Sequence, residues 1–158
     1  MPTARTLVRF AWMIAVCVSL HAQDDTKLIT VQLRDGKSGL LIAPFNLLLR
    51  IDHAETIHNE WVKIYDNGTS LVRVPEDAKV LSMQATYDDG MATYINCDAA
   101  KLSDKEREIW YPIDTILKTG TAATNQCGKI QYKPEPGQFI FFVRKRNAFD
   151  RLHNMDSQ

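Results

Sequence analysis

The sequence predicts a mainly β protein, an antiparallel sandwich with a short helical insertion, on three observations. Short apolar runs, alternating or rich in β-branched residues, recur from Lys27 to Arg146. Clusters of Gly, Asp, Asn and Pro separate them at close intervals. The main helical signals fall in residues 103–118, with room for one further turn in the polar tail from Asn147 to Gln158.

The elements follow in order. Lys27 to Arg34 (KLITVQLR) alternates and reads as a first strand, and Asp35-Gly36-Lys37-Ser38-Gly39 supplies turn chemistry. Phe45 to Ile51 is a continuous apolar run that suits a buried strand or a short helix, and its length and the flanking Pro44 favour strand. Trp61 to Tyr65 alternates, Asp66-Asn67-Gly68-Thr69 predicts a type I′ hairpin turn, and Leu71 to Val74 resumes the alternation up to Pro75. Ala78 to Tyr87 is a further strand, with Asp88-Asp89-Gly90 as a turn and Met91 to Cys97 as its return partner. Ser103 with Glu106 three residues on predicts an N-cap and a helical stretch to about Trp110. Ile113 to Lys118 adds a turn or two of helix stopped by Gly120. Thr121 to Lys133 reads as loop. Pro134-Glu135-Pro136-Gly137 then leads into Gln138 to Arg146, where both faces are apolar. Such a strand is central, or covered by the Ser103–Lys118 segment.

The first 22 residues read as an export leader. Arg5 and Arg9 precede an uncharged apolar run, Phe10 to Leu20, and Ala22 stands where a signal peptidase cuts before Gln23. The run is too short for a membrane span of about 20 residues. Val16 occupies the place where a lipoprotein motif takes Gly, Ala or Ser, which favours soluble export over lipidation of Cys17. The expected destination is extracellular or periplasmic, with one domain over 23–146 and a polar tail over 147–158. Two cysteines then remain, Cys97 and Cys127, and an oxidising route predicts a disulfide between them. Removing Arg5 and Arg9 leaves 17 basic residues against 19 acidic ones, a net charge of −2. That balance gives no electrostatic case for nucleic acid as a partner.

The motifs from Ile29–Arg34 through Asp35–Gly39, Phe45–Ile51, Tyr65–Thr69 and Leu71–Pro75 to Val80–Ala85 are similar to those of carboxypeptidase regulatory-like domains. Those domains are transthyretin-like, immunoglobulin-like sandwiches. The resemblance covers Thr26 to Asp98. From Asp114 to Arg146 the chain resembles small secreted bacterial proteins of undefined role, through Ile116–Gly120, Asn125–Lys129 and Pro136–Arg144. Ile42-Ala43-Pro44-Phe45 departs from the Gly-Ala-x-Val second strand of the family. The resemblance implies a binding or assembly module without catalysis or cofactor, and an envelope protein or glycan as partner.

Each chemical motif has a competing plain reading. Gly36-Lys37-Ser38 lacks the upstream glycine of a phosphate loop, since Val31 stands there, and a turn is expected. His53 and His58, with Asp52 and Glu55, are the candidate metal ligands of an alternative reading as a small metal-dependent hydrolase. No third histidine lies close, and a solvated loop is preferred. Asp66-Asn67 and Asp88-Asp89 are candidate calcium ligands but fit hairpin turns better. Ser38, Ser70, Ser82 and Ser103 have no nucleophile-elbow context. Asn67-Gly68-Thr69 also matches a glycosylation sequon. Trp110, Tyr111, Phe139, Phe141 and Phe142 are a candidate aromatic face, with core burial the preferred reading.

Overall fold

The computed structural model describes residues 26–43, 45–53, 60–85, 87–88, 91–92, 94–101 and 108–147. Its strands are β1 (Thr26–Asp35), β2 (Phe45–Ile51), β3 (Glu60–Ile64), β4 (Thr69–Pro75), β5 (Val80–Ala85), β6 (Tyr87–Asp88) and β7 (Met91–Ala92). They continue with β8 (Tyr94–Asn96), β9 (Tyr111–Pro112), β10 (Thr121–Ala122) and β11 (Gln138–Lys145), and the helix α1 (Ile113–Thr119) lies between β9 and β10. The expected leader over 1–22, His58, the expected cap at Ser103 and the tail beyond Asn147 lie outside the described residues.

Alternation in β1 decides which side of its sheet is core. Ile29, Val31 and Leu33 are wholly buried on one face, while Leu28, Thr30, Gln32 and Arg34 take the other. On one flank β4 runs antiparallel, with Val31 opposite Ser70 and Ile29 opposite Val72. On the other flank β11 runs parallel, with Val31 opposite Phe139 and Leu33 opposite Phe141. The far side of β11 pairs with β10 and β8. The second sheet runs β3-β2-β5-β9 and is antiparallel throughout. Leu47, Leu49 and Ile51 of β2 join Val62, Leu81 and Met83 in the core that the two sheets share. Each such side chain contributes about 1.5–3 kcal/mol of transfer free energy on burial. The protein is thus mainly β, a sandwich of two main sheets that has one short helix among the described residues, as the sequence predicts; the parallel pairs β1–β11 and β10–β11 depart from antiparallel order.

Several elements differ from expectation for identifiable reasons. The Asp66–Gly68 turn does not make a two-residue type I′ hairpin. Only Gly68 takes a positive φ (71°), its N–H donates to Tyr65 O, and Tyr65 N–H donates to Thr69 O. That is a three-residue loop with glycine at the left-handed position, and it carries the chain from one sheet to the other. A Cβ at Gly68 would also stand 2.6 Å from Leu41 Cβ, so glycine is needed twice over. The return strand of β5 is divided: β6 and β7 form a small ladder, while β8 leaves to pair with β11. The Asn96 side chain keeps a link back to β5 by accepting from Ala85 N–H and donating to Met83 O. The helix begins at Ile113, directly after Pro112, which stands extended at its N-cap (φ −65°, ψ 122°), and Glu108–Trp110 have no regular structure. Gly120 ends it with φ 74° and an N–H bonded to Ile116 O. Within the expected loop 121–133, Thr121–Ala122 form β10.

Candidate functional site

The outer face of the first sheet holds the candidate site, and its two halves are built differently. On β11, Ile140 and Phe142 lie on the outer face of the sheet, opposite Gln32 and Arg34, yet are 2% and 1% exposed. Segment 121–133 covers this half, with the Tyr132 ring stacked at 6.2 Å from Phe142. β11 is a central strand, one of the two alternatives the sequence left open, with Tyr111 packed on Phe139 on its core face. Arg34 lies beside Phe142 in the β1–β11 register, and its guanidinium sits 3.9 Å over the same Tyr132 ring. Arg34 Nη1 also donates to Gly39 O and Tyr132 Oη, and Nε donates to Gln32 Oε1. A shallow cleft of about 320 Å³ lies between segment 122–132 and Phe142.

A cross-linked knot holds the cover in place. Cys97 and Cys127 form a disulfide with Cα atoms 5.2 Å apart. Gln126 N–H donates to Cys97 O, Gln126 Nε2 to Asp98 O, and Asn125 Nδ2 to both Gly36 O and Ile130 O. The backbones approach so closely that a Cβ on Gly128 would stand 2.2 Å from Gly36 O. Beside the disulfide, Asp98 is 2% exposed and its Oδ2 accepts from Tyr111 Oη at 2.5 Å. Burial outweighs the Tyr111 hydrogen bond and pushes the Asp98 carboxyl up to about 6. Burial and the adjacent carboxylate push the Tyr111 hydroxyl above the usual phenol range.

The half formed by β1 and β4 is open. Leu28 and Leu71 are 49% and 61% exposed there, and their positions are diagonal neighbours, Leu28 pairing with Arg73 and Thr30 with Leu71. Leu41, bridged to Arg34, continues the β4 row past Thr69, and Leu40 and Tyr65 stand exposed at the same end. Among the described residues no further strand pairs with β4.

The sequence candidates fall in separate places. Cys97 and Cys127 are joined as expected. His53 packs its ring 4.0 Å from Trp110, and Asp52 accepts from Lys79 N–H and Val80 N–H. Those two bonds outweigh a burial effect of opposite sign and hold Asp52 below the usual carboxylate range. Neither His58 nor Glu55 is among the described residues, and the described residues contain no group of three His, Cys, Asp or Glu able to hold a metal. Asp35 Oδ1 accepts from Lys37 N–H, Ser38 N–H and Ser38 Oγ, so the Gly-Lys-Ser motif is an aspartate-closed turn. These bonds overcome burial and lower the Asp35 pKa. Asn67 Oδ1 is likewise engaged by Thr69 N–H and Oγ. Ser70 and Ser82 are buried in strands, and Ser103 and Asp89 lie outside the described residues. Tyr111, Phe139, Phe141 and Phe142 are buried, as the core reading expects; Tyr111 packs 4.8 Å from Phe139.

Sequence reasoning passed over Asp98 and Tyr132. The only available signal for Asp98 was its place after Cys97, since a buried carboxyl needs its distant tyrosine partner to be recognised. Compared with family models, with curated proteins and with solved structures, the chain matches none.

Proposed function

We propose that this protein is an exported, non-enzymatic β-sandwich module of the carboxypeptidase regulatory-like kind, and that it binds or assembles with another envelope component through the open β1/β4 half. The observation that carries the reading is the grouping of exposed apolar side chains. Leu28, Leu71 and Leu41 lie along the outer face of the first sheet, with Leu40 exposed near its turn end, beside a half whose own apolar residues are covered. Exposed apolar surface concentrated in this way marks interaction sites. The leader pattern and the Cys97–Cys127 disulfide support export to an oxidising compartment. Among the described residues no helix is long and apolar enough to cross a membrane.

Native electrophoresis of envelope extracts tests this. The protein is expected to migrate as a complex larger than its free mature chain. Leu71→Asp is expected to return it to the free chain with its melting temperature retained. Free migration of both forms overturns the binding reading. Stoichiometric zinc or copper with hydrolytic turnover lost in His53→Ala overturns the non-enzymatic one.

A further inference from the structure

Resting on the binding-module reading, we propose that the outer edge of β4 takes up an extended, acidic segment of another protein as an added β-strand. The backbone directions define the edge. Thr30 N–H points to β11, donating to Gly137 O, whereas Leu33 N–H donates to Gly68 O on the opposite side. Alternation along β1 therefore spends the backbone groups of Ser70, Val72 and Val74 on the β1–β4 ladder. Thr69, Leu71 and Arg73 face the other way. Thr69 O is used by Tyr65 N–H, and Pro75 has no N–H to offer. Leu71 and Arg73 thus present donors and acceptors at consecutive edge positions, the template that strand addition requires.

The side chains at those positions specify the occupant. Residues of an added strand directly opposite Leu71 and Arg73 share their sheet face. An apolar residue there packs beside Leu71 and Leu28. Among the described outward residues of this half, Leu28, Thr30, Gln32, Arg34, Leu41, Thr69, Leu71 and Arg73, there is no acid. Arg34 is engaged by Gln32, Gly39 and Tyr132, whereas among the described residues Arg73 has no ion pair. Complementarity at Arg73 therefore calls for a carboxylate on the incoming strand. A second copy of β4, paired antiparallel about Leu71, sets Thr69 opposite Arg73 and brings no acid, so a different protein is the better match.

The test uses the disulfide-intact protein and a capped peptide, Thr-Val-Thr-Glu-Thr-Val-Thr, with a control carrying lysine for glutamate. The acidic peptide is expected to slow hydrogen exchange at the Leu71 and Arg73 amides. The lysine peptide is expected to bind about tenfold more weakly, with the order reversed in Arg73→Glu. No protection at these amides, or equal binding of both peptides to the wild type, overturns strand addition. Arg73-dependent binding to vesicles of phosphatidylglycerol and phosphatidylcholine, without peptide binding, overturns it in favour of a lipid surface. If the native complex still dissolves in Leu71→Asp while the peptide fails, the binding module stands and only the strand-addition mode falls.

Discussion

The covered and open halves of the first sheet's outer face finish the same surface in two ways. On β11 the outward residues are Ile140 and Phe142, too apolar to leave in water, and a cross-linked segment lies over them. On β1 and β4, polar Thr30, Gln32, Thr69 and Arg73 alternate in register with Leu28 and Leu71, so that half stands without cover. Arg34 marks the border, its stem on β1 and its guanidinium on the covering Tyr132. The comparison teaches that sequestering an apolar strand face takes a segment fixed at backbone contact distance, here through Gly36, Gly128 and the disulfide. Leucines spaced among polar residues need no such fixture, and they remain available to a partner.

The largest effect expected from breaking this division is at Phe142. Phe142→Ala removes the ring on which Tyr132 rests and should cost about 3–5 kcal/mol in urea unfolding. A loss below about 1 kcal/mol would mean that segment 121–133 is no real cover. Next, replacing Cys97 and Cys127 together by serine frees a loop spanning 30 positions. The expected loss is about 3–4 kcal/mol, with Trp110-region and Tyr132 amides exchanging faster while those of β4 change little. Uniform acceleration over the whole sandwich would show that the knot supports both halves alike.

Asp98 gives the covered half a pH dependence. Its folded pKa of about 6 lies above the unfolded value of 3.8, so between them the native state binds more protons than the unfolded chain. The contribution is fully present below about 3.8 and is lost as pH rises through about 6, a swing of no more than about 3 kcal/mol. Asp98→Asn should remove that slope from the difference between the two stability–pH curves, whereas Asp35 and Asp52, with lowered values, act below this window in the opposite sense. Parallel curves for wild type and variant would overturn the burial account. The smallest effect belongs to the open half: Leu71→Ala should change stability by no more than about 0.5 kcal/mol, as expected of an exposed site. A loss near that of Phe142→Ala would place Leu71 under a cover.

The strands of both halves were legible in the sequence because alternation encodes which side of a strand is apolar. Lys27–Arg34 and Gln138–Arg146 become β1 and β11 almost residue for residue. The doubly apolar pattern of Phe139–Val143 also told that β11 needs neighbours on both faces. The disulfide was legible by elimination, and Gly120 and Pro112 bounded α1 through backbone geometry that any chain context preserves. Alternation does not name a strand's partner. Trp61–Tyr65 and Leu71–Val74 read as one hairpin, yet β3 pairs with β2 and β4 with β1, since burying Val62 and Val72 from opposite sheets outweighs the local ladder.

What the sequence by itself determined is the class of fold, the faces of its main strands, the stops set by Pro and Gly, and the cysteine pair. Only the tertiary structure decided that segment 121–133 packs Tyr132 on β11, that Asp98 meets Tyr111, and that among the described residues β4 is left at an edge with no ion pair at Arg73. The physical reason is range. Turn chemistry and alternation act over a few residues, whereas Gly36 meets Gly128, and Arg34 meets Tyr132, across about 90 positions or more, brought together only by packing of the whole chain.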